Sequence, residues 1–264
     1  MRQEIAVDKI VESLKEDPAV RSIFLKGSMG RNEHDSHSDV DLYCLIHEQD
    51  KENFLSRRST HLKAYRDIIF YDDIFIIAPQ VIAVYDDYLH VDLFTVTEET
   101  FQNKDYFTVL YDPENLMEQY ITDGKLTLSD TEFKDYVMDI AWFLFQYKKA
   151  SERGNHLWAT EMLRYTMSSF SNVVLYGYEK DRSRLGLKAV INHLPLDKVE
   201  SIKDIYESMN PSSHEKAVMK IAALLNEEME WIISHNAVDH QTQSFLKRMV
   251  GHFENICRGE LTNG

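Results

Sequence analysis

Asp39 and Asp41, on alternate residues of SDVDLYCLI, are the pair whose type and spacing most plainly suit chemistry. Alternate residues of a strand share a face, so the spacing predicts two carboxylates side by side, with Val40, Leu42, Cys44 and Ile46 turned the other way. Like charges held this close repel unless a cation sits between them. A third carboxylate, Asp92, lies in YLHVDLFTV, inside an otherwise apolar run, where an unpaired buried charge is expensive. Three carboxylates brought together from neighbouring strands make a hard, oxygen-only site, which suits Mg²⁺ with phosphates and water. The His and Cys clusters that would suit zinc are absent from the motif.

These side chains need a scaffold. Val20–Leu25 reads as a strand ending at Lys26-Gly27-Ser28, where Gly27 lets the backbone turn sharply and approach a ligand. Backbone amides at such a turn bind phosphate oxygens. The spacer from Met29 to His37 is polar and is expected to begin as a short helix. The next strand is expected to carry Asp39 and Asp41. Residues 3–16 form an amphipathic helix ended by Asp17-Pro18, and Asp50 to Tyr65 is helix-compatible. Val81–Tyr85 and Tyr88–Val96 form a hairpin around Asp86-Asp87, with His90, Asp92 and Phe94 on one face. Residues 67–78 (DIIFYDDIFIIA) fit a strand or a buried helix equally well, and 98–128 reads as irregular and acidic.

From Ser129 the character changes. Ser129 with Glu132 makes a capping box, and long apolar-periodic segments follow with few strand signals. Further helices are expected over 155–178, 184–193, 196–209, from a Ser212/Glu215 cap through Ser234, and over 238–257. The predicted fold class is an α+β N-terminal domain, a mixed β-sheet with helices over 1–127, followed by an all-α helical bundle over 128–264.

The 264 residues are 44% hydrophobic, enough for a sizeable core, and carry a net charge of −15. Residues 1–125 hold 13 Lys and Arg against 25 Asp and Glu. So acidic a half repels nucleic acid and either attracts cationic small molecules or serves solubility alone. No apolar run approaches the ~20 residues of a membrane span, and the N-terminal helix lacks the features of a signal peptide, so a cytoplasmic protein is expected. Two distant cysteines, Cys44 and Cys257, offer neither a disulfide framework nor a CxxC site. Cys44 reads as a small buried hydrophobe.

The stretch FLKGSMGRNEHDSHSDVDLYCLI resembles the signature of the polymerase-beta superfamily of nucleotidyltransferases, and the later Asp92 strand and helical second half resemble its antibiotic (lincosamide and aminoglycoside) members. The resemblance implies Mg²⁺-dependent transfer of a nucleoside monophosphate, AMP from ATP, to a hydroxyl of a small molecule, with release of pyrophosphate. It implies that Gly27 and Ser28 bind the triphosphate, with Arg31 or Lys26 as further phosphate contacts. Asp39 and Asp41 would ligate the metal, and Asp92 would complete that site or act as general base. Glu161, on the second helix of the bundle, is the candidate base from the helical half, and its plainer reading is an ordinary surface glutamate.

Several residues have plainer readings. His90 reads as a satisfied structural histidine, His34 and His37 as solvated loop residues, Trp142 as bundle core, and Tyr176 and Tyr178 as helix-spaced packing. Two other functions stay open. One is nucleotidyl transfer to a protein or RNA, as in toxin–antitoxin enzymes, and the other a catalytically decayed nucleotide-binding module. A homodimer is also open.

Overall fold

The computed structural model describes residues 1–101, 106–121 and 125–257, with the side chains of 256 and 257 excepted. The reading of Cys257 therefore lies outside the described residues. The chain divides into two compact units, Met1–Lys125 and Leu126–Gly264. Among the described residues no helix is long and apolar enough to cross a membrane.

The first unit is a six-stranded mixed sheet. Its elements are α1 (Arg2–Lys15), β1 (Val20–Leu25), α2 (Gly27–Gly30), β2 (Val40–Ile46), α3 (Lys51–Leu62), β3 (Ile68–Phe75), β4 (Pro79–Tyr85), β5 (His90–Val96) and β6 (Thr108–Tyr111). The spatial order is β3-β4-β5-β2-β1-β6. Only β2 and β5 run parallel; every other neighbouring pair is antiparallel. One face is closed by α1 and α3, whose Ala6, Ile10, Leu14, Phe54 and Leu62 share a core with Val40, Leu42, Cys44, Val91 and Leu93. The other face carries a second cluster, in which Phe24, Tyr43, Leu45, Phe94 and Val96 lie under Phe101, Phe107 and Met117. Strands β1, β2 and β5 thus each bury two different sets of residues, one on each face, as their alternation requires.

One segment resolves a reading left open by the sequence and another corrects one. Residues 68–75 are strand, and an exposed edge strand rather than a buried element: Phe70 is 52% and Phe75 72% exposed. The stretch read as irregular contains β6, which pairs with β1.

The turn before β1 is fixed by a buried ion cluster. Asp17 accepts from Arg57 Nε and Nη2 at 2.5 and 2.7 Å, bonds His61 Nε2 at 3.0 Å and caps Ala19 N–H. His61 in turn bonds Ser13, so α1, α3 and the strand entry are held by one carboxylate.

The second unit is helical: α4 (Asp130–Glu152), α5 (His156–Tyr178), α6 (Leu187–His193), α7 (Leu196–Ser208), α8 (His214–Ser234) and α9 (His240–Cys257). The Ser129–Glu132 capping box is present, and Arg184 reinforces it at 2.7 Å. The α8 cap shifts by one residue to Ser213, which makes no side-chain cap bond. Phe133, Leu144, Leu163, Phe170, Ile221 and Leu246 are fully buried in one core. Trp142 departs from its reading, being 47% exposed and tilted against Phe145. Buried His214 bonds both Tyr147 and His156, at 2.9 and 2.8 Å, which joins the starts of α5 and α8 to α4.

Candidate active site

The candidate site forms where β1 turns into β2 and β2 meets β5. Asp41 and Asp92 are direct register partners across the parallel β2–β5 pair, so their side chains rise on the same face. The next pair along is Tyr43–Phe94, whose rings stack at 4.3 Å, followed by Leu45–Val96. The face thus runs from carboxylates through aromatics to aliphatics, and the carboxylates stand at the N-terminal ends of both strands.

Asp39 departs slightly from its expected place. Strand β2 begins at Val40, so Asp39 is an exposed residue just before the strand. Its charge still reaches Asp41. Burial, then Asp39, then Asp92 push the Asp41 carboxyl up to about 6, well above an ordinary aspartate. The like-charge crowding expected from the Asp-x-Asp spacing is therefore present. Asp92 is 8% exposed and bonds His90 Nε2 at 3.1 Å, and that bond raises the His90 pKa. His90 is thus a partner of the site, a role signalled only by its two-residue spacing from Asp92.

Gly27 is held at φ +61°, and an added Cβ would lie 2.0 Å from Asp41 Oδ2. The turn closes on β2 through Lys26 N–H, which donates to the Asp41 carbonyl at 3.0 Å. Lys26 Nζ sits 4.9 Å from the ring centroids of both Tyr43 and Phe101. Ser28 is half-buried beside the turn, and Arg31 Nε donates to Glu33 at 3.0 Å. The helix expected after the turn is a single turn, Gly27–Gly30.

Gln3 was invisible to sequence reasoning, because its contact spans more than thirty residues. Fully buried on α1, it donates from Nε2 to the carbonyls of Asp35 and Ser38, both at 3.0 Å. The spacer leading to Asp39 is thereby pinned. Glu161 lies in the second unit, on α5, 42% exposed and 4.0 Å from Arg164.

Among the described residues no three His, Cys, Asp or Glu side chains are gathered tightly enough to form a metal cage. The donor set nevertheless fits a hard divalent cation. It consists of carboxylate oxygens, one of them partly desolvated and crowded by like charge, the condition that a bound cation relieves.

Substituting Gly27 with Ala is expected to lower kcat roughly 100-fold, since a 1 Å displacement of a reacting group has that effect. The added methyl must displace the Asp41 carboxylate and also strains a left-handed backbone by about 1–2 kcal/mol. Steady-state kinetics beside a thermal melt checks this: kcat falls while the fold persists.

The family model described as "Polymerase beta, Nucleotidyltransferase" matches residues 8–80, a span that includes Gly27, Ser28, Asp39 and Asp41. No curated protein matches the chain. Among solved structures, an aminoglycoside 6-adenyltransferase from Bacillus subtilis is similar at 16% identity, covering 97% of this chain and 98% of its own, with a TM-score of 0.42. A STING-associated CdnE c-di-GMP synthase from Capnocytophaga granulosa is 14% identical over 98% of this chain and 82% of its own, with a TM-score of 0.31. The spectinomycin adenyltransferase AAD(9) from Enterococcus faecialis, solved with ATP and spectinomycin, is 12% identical over 96% of this chain and 98% of its own, also at 0.31.

Proposed function

From a chain whose residues 8–80 match the polymerase-beta nucleotidyltransferase family model, we propose an enzyme that transfers AMP from ATP to a hydroxyl of a small, cationic acceptor, of the kind aminoglycoside and lincosamide antibiotics present. The observation that carries this reading is the Asp41–Asp92 register pair, with Gly27 packed against Asp41.

In this reading Asp39 and Asp41 would hold Mg²⁺, which would supply charge neutralisation for the triphosphate and the departing pyrophosphate. Gly27 and Ser28 receive the triphosphate at the turn. The acceptor hydroxyl attacks the α-phosphorus; an O–P bond forms, the bond to the β-phosphate oxygen breaks, and pyrophosphate leaves. Asp92, oriented by His90, takes the hydroxyl proton. Glu161 is the alternative proton acceptor. The acidic excess of residues 1–125 favours a cationic acceptor and opposes a polyanionic one.

The test is pyrophosphate release from ATP and Mg²⁺ across a panel of aminoglycosides and lincosamides, with EDTA as control. Acceptor-dependent release abolished by EDTA is the expected result. Release with no compound, or release indifferent to EDTA, overturns the reading. A comparison of Asp92→Asn with Glu161→Gln then assigns the base, the true one losing the greater part of kcat.

A further inference from the structure

The row that holds Asp41 and Asp92 does not stop at β5. Across β5–β4, Asp92 pairs with Ile82; across β4–β3, Ile82 pairs with Asp72. The row on one side is His90–Val84–Phe70, and the row on the other is Phe94–Gln80–Ile74. Register partners point to the same face, so Phe70, Asp72 and Ile74 of the edge strand share the face of the candidate site. Strands lie about 4.8 Å apart, which puts Asp72 roughly 10 Å from Asp92, with half-buried Ile82 between them.

This strip differs from the rest of the sheet. The opposite face of β3 has its own partner there: Asp73 is bonded by buried Arg58 at 2.8 Å. Asp72 instead faces solvent, beside a Phe70 that is 52% exposed and outside all three apolar clusters. The helices α1 and α3 pack on the other face. An apolar floor of Val84, Ile82 and Phe70, with a carboxylate at each end, suits a ring system bearing a positive charge at one end and a hydroxyl at the other.

We propose that the β3–β4 face is the acceptor subsite and that Asp72 anchors a protonated amine of the acceptor about 10 Å from the hydroxyl presented at Asp92. Two observations select this occupant. The strip is continuous, row by row, with the candidate site, and its fixed charges are anionic in a unit with a large acidic excess. The proposal rests on the nucleotidyl-transfer reading for the hydroxyl end, whereas the amine end is tested by binding alone.

Kanamycin, spectinomycin and lincomycin, each with its N-acetylated or otherwise uncharged derivative where one exists, are titrated calorimetrically into the full chain and into Asp72→Asn. Asp73→Asn, altered on the opposite face, is the control. The expected result is an amine-bearing compound whose affinity falls at least 10-fold in Asp72→Asn, falls similarly on acetylation, and is unchanged in Asp73→Asn. In turnover, Asp72→Asn then raises the acceptor KM by the same factor and leaves the ATP KM within about two-fold. An equal loss in both variants, binding indifferent to Asp72, or no binding by any of the three compounds overturns the subsite. If binding depends on Asp72 but no pyrophosphate is released, the transfer reading fails and the subsite stands. If turnover proceeds without dependence on Asp72, the subsite fails and the transfer reading stands.

Discussion

Asp41→Asn is expected to lower kcat by roughly 1,000-fold while the protein melts no lower than its parent in EDTA-containing buffer. The loss in rate follows from removing a carboxylate that would hold the cation against the developing phosphoryl charge, and loss of one preorganised electrostatic contact costs about 10²–10³. The retained stability follows from the same environment. Burial, Asp39 and Asp92 push the Asp41 pKa up to about 6, so in the folded state its ionised form is disfavoured and at neutral pH its charge works against folding. An isosteric amide removes that opposition and leaves the backbone bond from Lys26 untouched. Function and stability thus pull in opposite directions at this residue, as they commonly do where a site gathers like charges. Pyrophosphate-release kinetics and differential scanning fluorimetry, run on one preparation, read both quantities. A variant with full activity removes Asp41 from the site.

The second large effect is structural and sits well away from the carboxylate row. Asp17→Asn is expected to cost about 2 kcal/mol, because the Asp17 carboxylate is nearly inaccessible and is held down to about 2, chiefly by the Arg57 hydrogen bonds. Its folded-state pKa is depressed below the unfolded value of about 3.9. The stabilisation is therefore complete above that value and is lost as pH falls toward 2. Urea denaturation followed by circular dichroism should show parent and variant far apart at pH 7 and converging below pH 4. A local readout is also available in the first unit. Cys44 is fully buried and its thiol pKa is raised by burial, so it reacts with a disulfide reagent only when the unit opens. In a Cys257→Ser background, the Asp17 substitution should speed that reaction roughly 30-fold at neutral pH. An unchanged rate would mean that the cluster around Asp17 is not part of what keeps the sheet closed.

How much of this was legible beforehand differs from element to element, for physical reasons. Strands β1, β2 and β5 announce themselves because each has one face buried by helices and one that changes character, so alternation survives in the sequence. Strand β3 does not, since an edge strand exposed on both faces has no reason to alternate: Ile69, Phe70 and Tyr71 are all apolar or aromatic and all solvent-facing. Its single informative residue, Asp72, acquires meaning only through a register that passes across two other strands. Strand β6, Thr108–Tyr111, is β-prone in composition but only four residues long, too short for alternation to show before it pairs with β1. For Asp39 the spacing predicts a shared face but not the point at which the ladder begins, one residue later at Val40. Gln3 has no local signal at all, because its value lies in two carbonyls of a distant loop. Trp142 illustrates the converse limit: a large aromatic in an apolar helix reads as core, yet its helix position turns it outward.

The different cores on the two faces of β2 have a consequence for how this chain matures. A slip of one residue against β1 or β5 would turn Asp41 into the dry layer beneath α1 and α3 and expel Leu42 and Cys44 into its place. Burying an unpaired carboxylate there would be prohibitive. The residues proposed for catalysis are thus also the residues that proofread the sheet. Compact molecules with a shifted β2, folded but dead, are not an accessible product. In a refolding experiment the specific activity recovered counts correctly registered molecules directly, with no correction for a misaligned fraction.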